Sequence, residues 1–163
     1  MFSISQISDD TINDYISVLK DRLFWLREKN INMWTIEKLE KKALIERYEN
    51  PIFYGAYENK ECIGGFILIE KDTRYWPNNI NDKAYYFHKF VINPKYKGKG
   101  YSDKILEWVK DFGRKNEKKY IRLDYQKKRN YLRNMYLKNE FKDVNEIEIN
   151  DGDILVLGEY KIR

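Results

Sequence analysis

The sequence has little cysteine, histidine and proline. Its single cysteine, Cys62, cannot form an intrachain disulfide, and its single histidine, His88, leaves no cluster with the spacing of zinc ligands. Disulfide scaffolds and structural zinc sites are therefore excluded, and we expect no metal. The longest apolar run, Ile63 to Ile69, is far shorter than the ~18 residues of a membrane span. The chain also lacks a signal-peptide pattern, so we expect a cytoplasmic protein.

The composition is that of a folded globular domain. The chain has 163 residues, of which 42% are hydrophobic and 16% aromatic, and its charged residues are mixed with apolar ones. Disordered chains lack this apolar content, and the length suits a single core. We therefore expect one domain spanning residues 1–163.

The charge balance favours a polyanionic partner without identifying it. Lysine and arginine number 31 against 26 aspartates and glutamates, which gives a formal charge of +5. Nucleic acid, an anionic membrane and a phosphorylated cofactor would each fit this excess. The placement of the lysines has to decide between them.

Hydrophobic periodicity predicts the element order β-α-α-β-β-β-α-β-α-β-β. Strands are expected at 2–7, 52–57, 62–69, 84–92, 120–125, 141–149 and 154–160. Helices are expected from about 12 to 29, from 35 to before 50, after a glycine-rich turn to about 115, and at 131–138. The crossover around the third helix makes its flanking strands parallel, whereas the hairpins are antiparallel. This predicts an α/β fold with a mixed, mostly antiparallel sheet, a central parallel strand pair and helices on both faces.

The most informative segment is Asn93 to Ser102, between a strong strand and a strong helix. Gly98 and Gly100 let the backbone approach a ligand closely. The N–H groups of such a turn, with the positive end of the next helix, form an anion site, and lysines at 95, 97 and 99 add positive charge. A pyrophosphate fits this arrangement. A dinucleotide fingerprint or kinase loop would need a third glycine where Asp103 stands, and the Gly-Lys-Ser/Thr of a P-loop is missing.

Three segments together resemble the GNAT superfamily of N-acetyltransferases. Residues 95–100, KYKGKG, are similar to the family's Q/R-x-x-G-x-G/A turn, with Lys95 in place of Gln or Arg. Residues 132–141, LRNMYLKNEF, are similar to L-R-x-x-Y-x-x-x-G-F, with Glu140 at the glycine. Residues 25–34, WLREKNINMW, are similar to W-L-x-x-x-G-I-x-x-W, with Asn30 at the glycine. The three segments occur in the family's order.

The resemblance implies that acetyl-CoA binds as the acyl donor where the central strand and the next parallel strand splay apart. Backbone groups of Phe90, Val91 and Ile92 would bind the pantetheine as an added strand does, and one N–H there would serve as oxyanion donor. Either Arg129 or Asn130 stands where the family often has a cofactor-binding asparagine. The pyrophosphate would be bound by the N–H groups of Lys97, Gly98, Lys99, Gly100, Tyr101 and Ser102.

The resemblance also implies a general acid. Tyr136 matches the family tyrosine that reaches the CoA sulfur and would protonate the departing thiolate; the alternative is a tyrosine that only packs its helix. Cys62 is expected to be a buried strand residue with no base beside it, which argues against an acyl-enzyme. We therefore expect direct attack by the amine in a ternary complex.

The general base is left open. His88 lies on the central strand, where alternation places it on one face with residues 86, 90 and 92, and its imidazole could accept a proton at neutral pH. A strand histidine that only packs or donates hydrogen bonds is the alternative. Glu70 and Asp72, at the end of the preceding strand, are further candidates that would act through water.

Three tryptophans are candidates for the acceptor site: Trp25, Trp34 and Trp76. They lie in the regions where the family builds this site, although anchoring a core or a loop would explain them equally well. The expected partner is a small-molecule or peptide amine, with no nucleic acid and no membrane, and a homodimer is left open.

Two other functions compete with this interpretation. A domain that binds acyl-CoA without turnover would account for the departures at Lys95 and Glu140. A nucleic-acid-binding module would use the basic and aromatic run from Lys127 to Arg133 to neutralise phosphates and stack bases.

Overall fold

The computed structural model describes residues 1–163, apart from the side chain of Asp151. The strands are β1 (Phe2–Gln6), β2 (Ile52–Glu58), β3 (Glu61–Ile69), β4 (Ala84–Ile92), β5 (Tyr120–Gln126), β6 (Lys142–Glu148) and β7 (Ile154–Lys161). The helices are α1 (Ile12–Glu28), α2 (Lys41–Arg47), α3 (Tyr101–Lys115) and α4 (Asn130–Lys138). The predicted order of elements is confirmed. No helix in this description has the length and apolar content needed to cross a membrane.

The chain forms two compact units. The first contains Met1–Ile69 and Lys89–Ile105, and the second contains Glu70–His88 and Leu106–Arg163. Strand β4 contributes residues to both. The strand order is β1-β2-β3-β4 in the first unit and β4-β5-β7-β6 in the second. That residues 1–163 act as one domain stays a prediction.

The first unit is built on antiparallel strands. β1 pairs with β2, and β2 with β3, as the alternating pattern predicts. The turn residues of the second pair, Asn59 and Lys60, both have positive φ (49° and 71°), the geometry that matches strand twist in a two-residue hairpin. Helix α1 buries the predicted apolar stripe: Ile12, Tyr15, Ile16, Leu19, Leu23 and Leu26.

The segment predicted as a second helix from residue 35 divides into two pieces. A 3₁₀ turn covers Ile36–Leu39 and is followed by α2, with Glu40 between them in an extended conformation (ψ 149°). Leu39 and Leu44 are both fully buried, so each short piece supplies one core anchor. The prediction of one continuous helix is wrong because an extended residue interrupts it.

The second unit contains the parallel pair. Residues 84–86 of β4 pair in parallel with residues 120–122 of β5, whereas β5 with β7 and β6 with β7 are antiparallel. The fold is therefore the predicted mixed α/β type, mostly antiparallel with one parallel pair. The loop before β4 includes a short 3₁₀ turn at Pro77–Asn79.

A bulge interrupts β4 at Lys89. This residue has φ 49°, a left-handed conformation inside a strand, and its carbonyl accepts a 2.7 Å hydrogen bond from the Tyr15 hydroxyl of α1. Alternation of side chains is not maintained across such a residue. The prediction that His88 shares one face with Phe90 and Ile92 assumed a regular strand, and it stays a prediction.

Candidate active site

The turn after β4 holds itself in place by hydrogen bonds within the first unit. The Asn93 amide N–H donates to the Ile63 carbonyl at 2.7 Å, and the Asn93 side-chain oxygen accepts from the Lys95 N–H at 3.1 Å. The Tyr96 N–H donates to the Asn93 carbonyl, and the Lys97 N–H to the Pro94 carbonyl. The N–H of Lys97 thus already has an acceptor within the protein. It is therefore not a free donor for a pyrophosphate, although the sequence predicted it as one.

The glycines that follow leave their backbone open. Gly98 and Gly100 have φ values of 77° and 79°, and a Cβ added to either would meet no atom within 4 Å. In the part of the chain that the structure describes, the N–H groups of Gly98, Lys99 and Gly100 have no acceptor. Tyr101 begins α3, so its N–H is one that a helix leaves unsatisfied. This turn fits a diphosphate, because three consecutive free donors directly precede a helix N-terminus.

The lysines around this turn differ in how they are compensated. Lys95 forms an ion pair with Glu61, which also accepts from the Tyr96 hydroxyl. The ammonium group of Lys99 lies 5.4 Å from the Tyr96 ring centroid, and that of Lys97 lies 4.9 Å from the ring centroid of Trp25. Lys95, which replaces the Gln or Arg of the motif, is therefore paired with a carboxylate, whereas Lys97 and Lys99 lie over aromatic rings.

The predicted pantetheine segment follows the bulge of β4. Val91 is buried, whereas Phe90 and Ile92 are partly exposed. Gly64 of β3 approaches this segment so closely that a Cβ there would lie 2.4 Å from the Val91 carbonyl oxygen. The position of the segment thus depends on the absence of a side chain at residue 64.

In the second unit, His88 is buried between two carboxylates. Its Nε2 lies 2.9 Å from Asp72 Oδ2, and its Nδ1 lies 3.6 Å from Asp124 Oδ2. Asp72 Oδ1 accepts from the N–H groups of Arg74 and Tyr75, each at 3.1 Å. Contacts at both of its carboxylate oxygens therefore fix the Asp72 side chain.

The environment of Asp72 sets the tautomer of the histidine. Burial tends to raise the pKa of Asp72, but the hydrogen bond and charge of His88, with the two backbone N–H groups, outweigh it and hold that pKa below its usual value. An ionised Asp72 can only accept, so Nε2 carries the proton. In the neutral imidazole the lone pair then lies on Nδ1, on the side of Asp124.

These three side chains are also a set of metal-ligand types. Asp72, His88 and Asp124 each offer one ligand atom within 4.8 Å of the others. A cation bound to Nε2 would have to displace the proton that this nitrogen shares with Asp72. The absence of a metal site thus stays a prediction.

Tyr136 of α4 is a buried phenol. Its ring lies 5.5 Å from that of Tyr125 and 5.8 Å from that of Phe141. Burial, and then the charge of Asp124, raise the pKa of Tyr136 well above its usual value. The hydroxyl therefore keeps its proton at neutral pH, as a proton donor requires.

The two alternatives for the cofactor-binding asparagine occupy the start of the same helix. Arg129 is half-buried, and loss of solvation lowers its pKa, while Tyr136 and Tyr131 act in the opposite direction. Asn130 is exposed, and its N–H donates to the Lys128 carbonyl at 3.2 Å. A cofactor role for either residue stays a prediction.

The three tryptophans have different surroundings. Trp34 faces the ammonium group of Lys89, which lies 5.5 Å from its ring centroid and also donates to the Tyr48 hydroxyl. Trp25 contacts Lys97 of the turn formed by residues 93–102, which we call the anion turn. Trp76 is buried, and its ring centroid lies 4.9 Å from the guanidinium carbon of Arg122. An acceptor-site role stays a prediction for all three.

Sequence reasoning missed Asp124 and the bulge at Lys89. A carboxylate inside the predicted strand of residues 120–125 was a signal for the first. The bulge gave no signal, because lysine has no preference for the left-handed region. By contrast, Asn30 and Glu140, which replace motif glycines, have φ values of 58° and 68°, so the glycine conformation persists at both positions.

Comparison with known proteins agrees with this architecture. A solved acetyltransferase from Listeria monocytogenes superposes with a TM-score of 0.76 at 17% identity, covering 98% of this chain and 94% of that one. The PaiA N-acetyltransferase of Thermoplasma acidophilum, solved in complex with coenzyme A, superposes with a TM-score of 0.74 at 19% identity over 99% of each chain. These likenesses establish the fold.

Sequence comparison adds a relative and a family. The uncharacterized N-acetyltransferase YesJ of Bacillus subtilis is 24% identical over 108 residues, which span 61% of this chain and 59% of the relative, less than two thirds of its length. The profile of the Acetyltransferase (GNAT) family matches residues 19–141, most of the chain and all of the anion turn. The protein therefore belongs to the GNAT family of acetyltransferases.

Proposed function

We propose that this protein is an N-acetyltransferase that moves an acetyl group from acetyl-CoA to a primary amine by direct attack in a ternary complex. The observation that carries the proposal is the turn at Gly98 and Gly100, whose unsatisfied N–H groups precede α3 in a chain of the GNAT family. The C–N bond forms as the C–S bond breaks, one proton leaves the amine and one is taken up by the thiolate.

Acetyl-CoA is the proposed acyl donor. The N–H groups from Gly98 to Ser102 would bind its diphosphate, and the backbone of residues 90–92 its pantetheine. An N–H of this strand segment would stabilise the negative charge that develops on the carbonyl oxygen in the transition state.

Direct transfer is favoured over an acyl-enzyme by the state of the only thiol. Burial raises the pKa of Cys62 to about 11, although its hydrogen bond to the Gly64 backbone acts in the opposite direction. A thiol with such a pKa holds very little thiolate at neutral pH, and the thiolate is the nucleophile. Cys62 is thus a poor candidate for an acetylated intermediate.

Tyr136 and His88 are the proposed proton-transfer groups. Tyr136, protonated at neutral pH, would donate to the departing thiolate. His88 would accept the amine proton at Nδ1, directly or through Asp124 or a water, while the Asp72 carboxylate stabilises the resulting imidazolium. Asp72 is then a positioning residue, since it acts on the histidine.

The acceptor is proposed to be a small-molecule or peptide amine. Trp34, beside Tyr48 and Lys89, is the tryptophan best suited to line its site, since all three are partly exposed. A buried Trp76 packed on Arg122 suits an anchor of its loop.

A thermal-shift screen tests the cofactor. Acetyl-CoA and CoA at about 100 times their Kd should stabilise the protein by about 2.7 kcal/mol through mass action, whereas NAD should have no effect. ATP is the informative control, because equal stabilisation by ATP would indicate only a general phosphate site.

A turnover assay with a panel of amines tests the chemistry. Tyr136→Phe should lower kcat by about 100-fold, the usual contribution of a general acid, while CoA still raises Tm. Tyr131→Phe is the matched control, because Tyr131 lies on the same helix and is 54% exposed. Binding of CoA by the wild type without turnover of any amine would favour the acyl-CoA-binding alternative.

A further inference from the structure

A buried arginine of β5, Arg122, lies beside the proposed base in the second unit of the fold. Across the described residues, the parallel pairing of β4 with β5 ends at the pair of Tyr86 and Arg122. His88 and Asp124 stand two positions further along the same two strands. Because alternate residues of a strand share one face, the contact of Arg122 with Tyr86 and that of Asp124 with His88 are neighbours on that face.

All three guanidinium nitrogens of Arg122 have partners. Its Nε donates to Glu159 Oε2 at 2.8 Å, its Nη1 donates to the Tyr86 hydroxyl at 3.0 Å, and its Nη2 lies 2.8 Å from Asp82 Oδ2. The residue is only 3% exposed, and the two carboxylates compensate its charge. A planar guanidinium directs its donors to several groups at once, which the ammonium group of a lysine cannot do. Arg122 therefore joins β4, β7 and the segment before β4.

That segment, residues 70–83, is called the β3–β4 loop below, and it contacts the arginine at several points. The ring centroid of Trp76 lies 4.9 Å from the Arg122 guanidinium carbon, and Asp82 accepts from Nη2. The Tyr86 hydroxyl, which accepts from Arg122, itself donates to the Asn79 carbonyl at 3.2 Å. Residues 76, 79 and 82 of the loop are thus all held at one side chain of β5.

The same loop carries Asp72, the partner of the histidine. The Trp76 N–H donates to the Asp72 carbonyl at 3.0 Å, and two further backbone N–H groups of this turn donate to the Asp72 carboxylate. In the part of the chain that the structure describes, the indole N–H of Trp76 has no acceptor, so ring contacts hold this side chain. Residues 72–76 thus form one tight turn, and the place of Asp72 depends on where Trp76 packs.

We infer that Arg122 is a positioning residue for the proposed acetyl transfer, because it holds the β3–β4 loop so that Asp72 stays against Nε2 of His88. The inference rests on the proposed function, in which His88 accepts the amine proton. Without this support the loop would remain attached to β3 and β4, but Asp72 could exchange the histidine for water. The imidazole would then lose the partner that fixes its proton and its orientation.

The test uses the fact that His88 is the only histidine of the chain, so the imidazole N–H signals of the ¹⁵N-labelled protein belong to one residue. In the wild type, the Nε2 proton should exchange slowly with water, because it is buried and bonded to Asp72. Arg122→Lys keeps the charge but cannot reach all three partners, and should make this exchange at least about tenfold faster. It should also lower kcat by about tenfold. The KM for acetyl-CoA and the thermal shift with CoA should stay unchanged, since the anion turn lies in the first unit.

A second variant and two controls keep the test independent of folding defects. Tyr86→Phe removes one hydroxyl and no charge, and it breaks the contacts with Arg122 and with the Asn79 carbonyl together. It should speed the exchange even if Arg122→Lys does not fold. Glu159→Gln and Asp82→Asn are the matched controls. In each, the amide oxygen can still accept from the guanidinium, so both should keep the wild-type exchange and kcat.

The outcomes separate this inference from the proposed function. Unchanged exchange of the His88 proton in both Arg122→Lys and Tyr86→Phe would overturn the inference. Faster exchange in the two controls as well would also overturn it, since any change around the arginine would then loosen the unit. A wild type that turns over no amine would overturn the proposed function, while the exchange rates would still decide whether Arg122 positions Asp72.

Discussion

At the scale of single residues, Asp72 determines which ring nitrogen of His88 can accept a proton. The carboxylate accepts two backbone N–H groups and the histidine Nε2–H, and its lowered pKa keeps it ionised through the neutral range. Because it can only accept, it fixes the proton on Nε2 and leaves the basic lone pair on Nδ1. The side of the ring that can take a proton is thus decided by a neighbour.

The substitution Asp72→Asn tests whether Asp72 fixes the tautomer of His88. The Asn oxygen could still accept from Arg74 and Tyr75, but its NH₂ would donate to Nε2 and drive the proton to Nδ1, the wrong tautomer. We expect kcat/KM for the amine to fall by at least about tenfold. The shape of its pH profile should change as well, because the substitution replaces an ionised carboxylate beside Nε2 with a neutral amide.

Asp82→Asn is the matched control for this substitution. Asp82 also lies in the second unit and has a lowered pKa, but its partners are Asn79 and Arg122 rather than His88. This variant should keep the wild-type pH profile. A purely structural role of Asp72 would be indicated if Asp72→Asn changed Tm but left the shape of the profile as it was.

At the scale of elements, β4 shows what a strand pattern predicts and what it omits. Its aromatic and β-branched run predicted the bounds 84–92 correctly, since side-chain type alone carries that signal. The bulge at Lys89 depends on a hydrogen bond from Tyr15, 74 positions earlier in the chain. A local pattern contains no information about such a contact.

Backbone conformation also explains why two motif glycines can be replaced by other residues. A glycine in a motif reports a backbone conformation, and Asn30 and Glu140 adopt the left-handed region themselves. Asn does so at little cost, whereas Glu pays about 1–2 kcal/mol. The ion pair of Glu140 with Arg163, at 2.9 Å, offsets part of this cost. The resemblance was therefore predictive despite both substitutions.

Gly64→Ala should disturb the segment that we propose for the pantetheine. The added Cβ would lie 2.4 Å from the Val91 oxygen, a backbone atom, so β3 or β4 has to move. We expect a loss of about 1–3 kcal/mol, as for overpacking in a core, and a smaller thermal shift with CoA.

Gly152→Ala is the control for this change. It adds the same methyl group in open space at φ 86°, so it should cost only the backbone strain of about 1–2 kcal/mol and leave the CoA shift intact. An unchanged CoA shift in Gly64→Ala would contradict the link between this contact and the donor site.

At the scale of the whole molecule, basic residues outnumber acidic ones, but several of them are already paired with carboxylates. The chain has 31 basic and 26 acidic residues. The run from Lys127 to Arg133, which suggested nucleic-acid binding, is largely paired: Lys127 with Glu146 at 2.9 Å, Lys128 with Asp153 at 3.6 Å, and Arg133 with Asp143 at 3.1 Å. The sequence could not indicate this, because each carboxylate lies 10 or more positions further along the chain.

The pairing predicts weak binding to nucleic acid. Fluorescence anisotropy with a single-stranded RNA of about 20 nucleotides should give a Kd above about 1 μM at about 150 mM salt, the range of non-specific contacts. Asp143→Asn combined with Glu146→Gln releases Arg133 and Lys127, and should raise both the RNA affinity and the steepness of its salt dependence. CoA should still raise Tm in this variant, since neither residue belongs to the first unit, where the anion turn lies. Submicromolar RNA binding by the wild type, with no thermal shift from CoA, would instead assign the positive charge to nucleic acid.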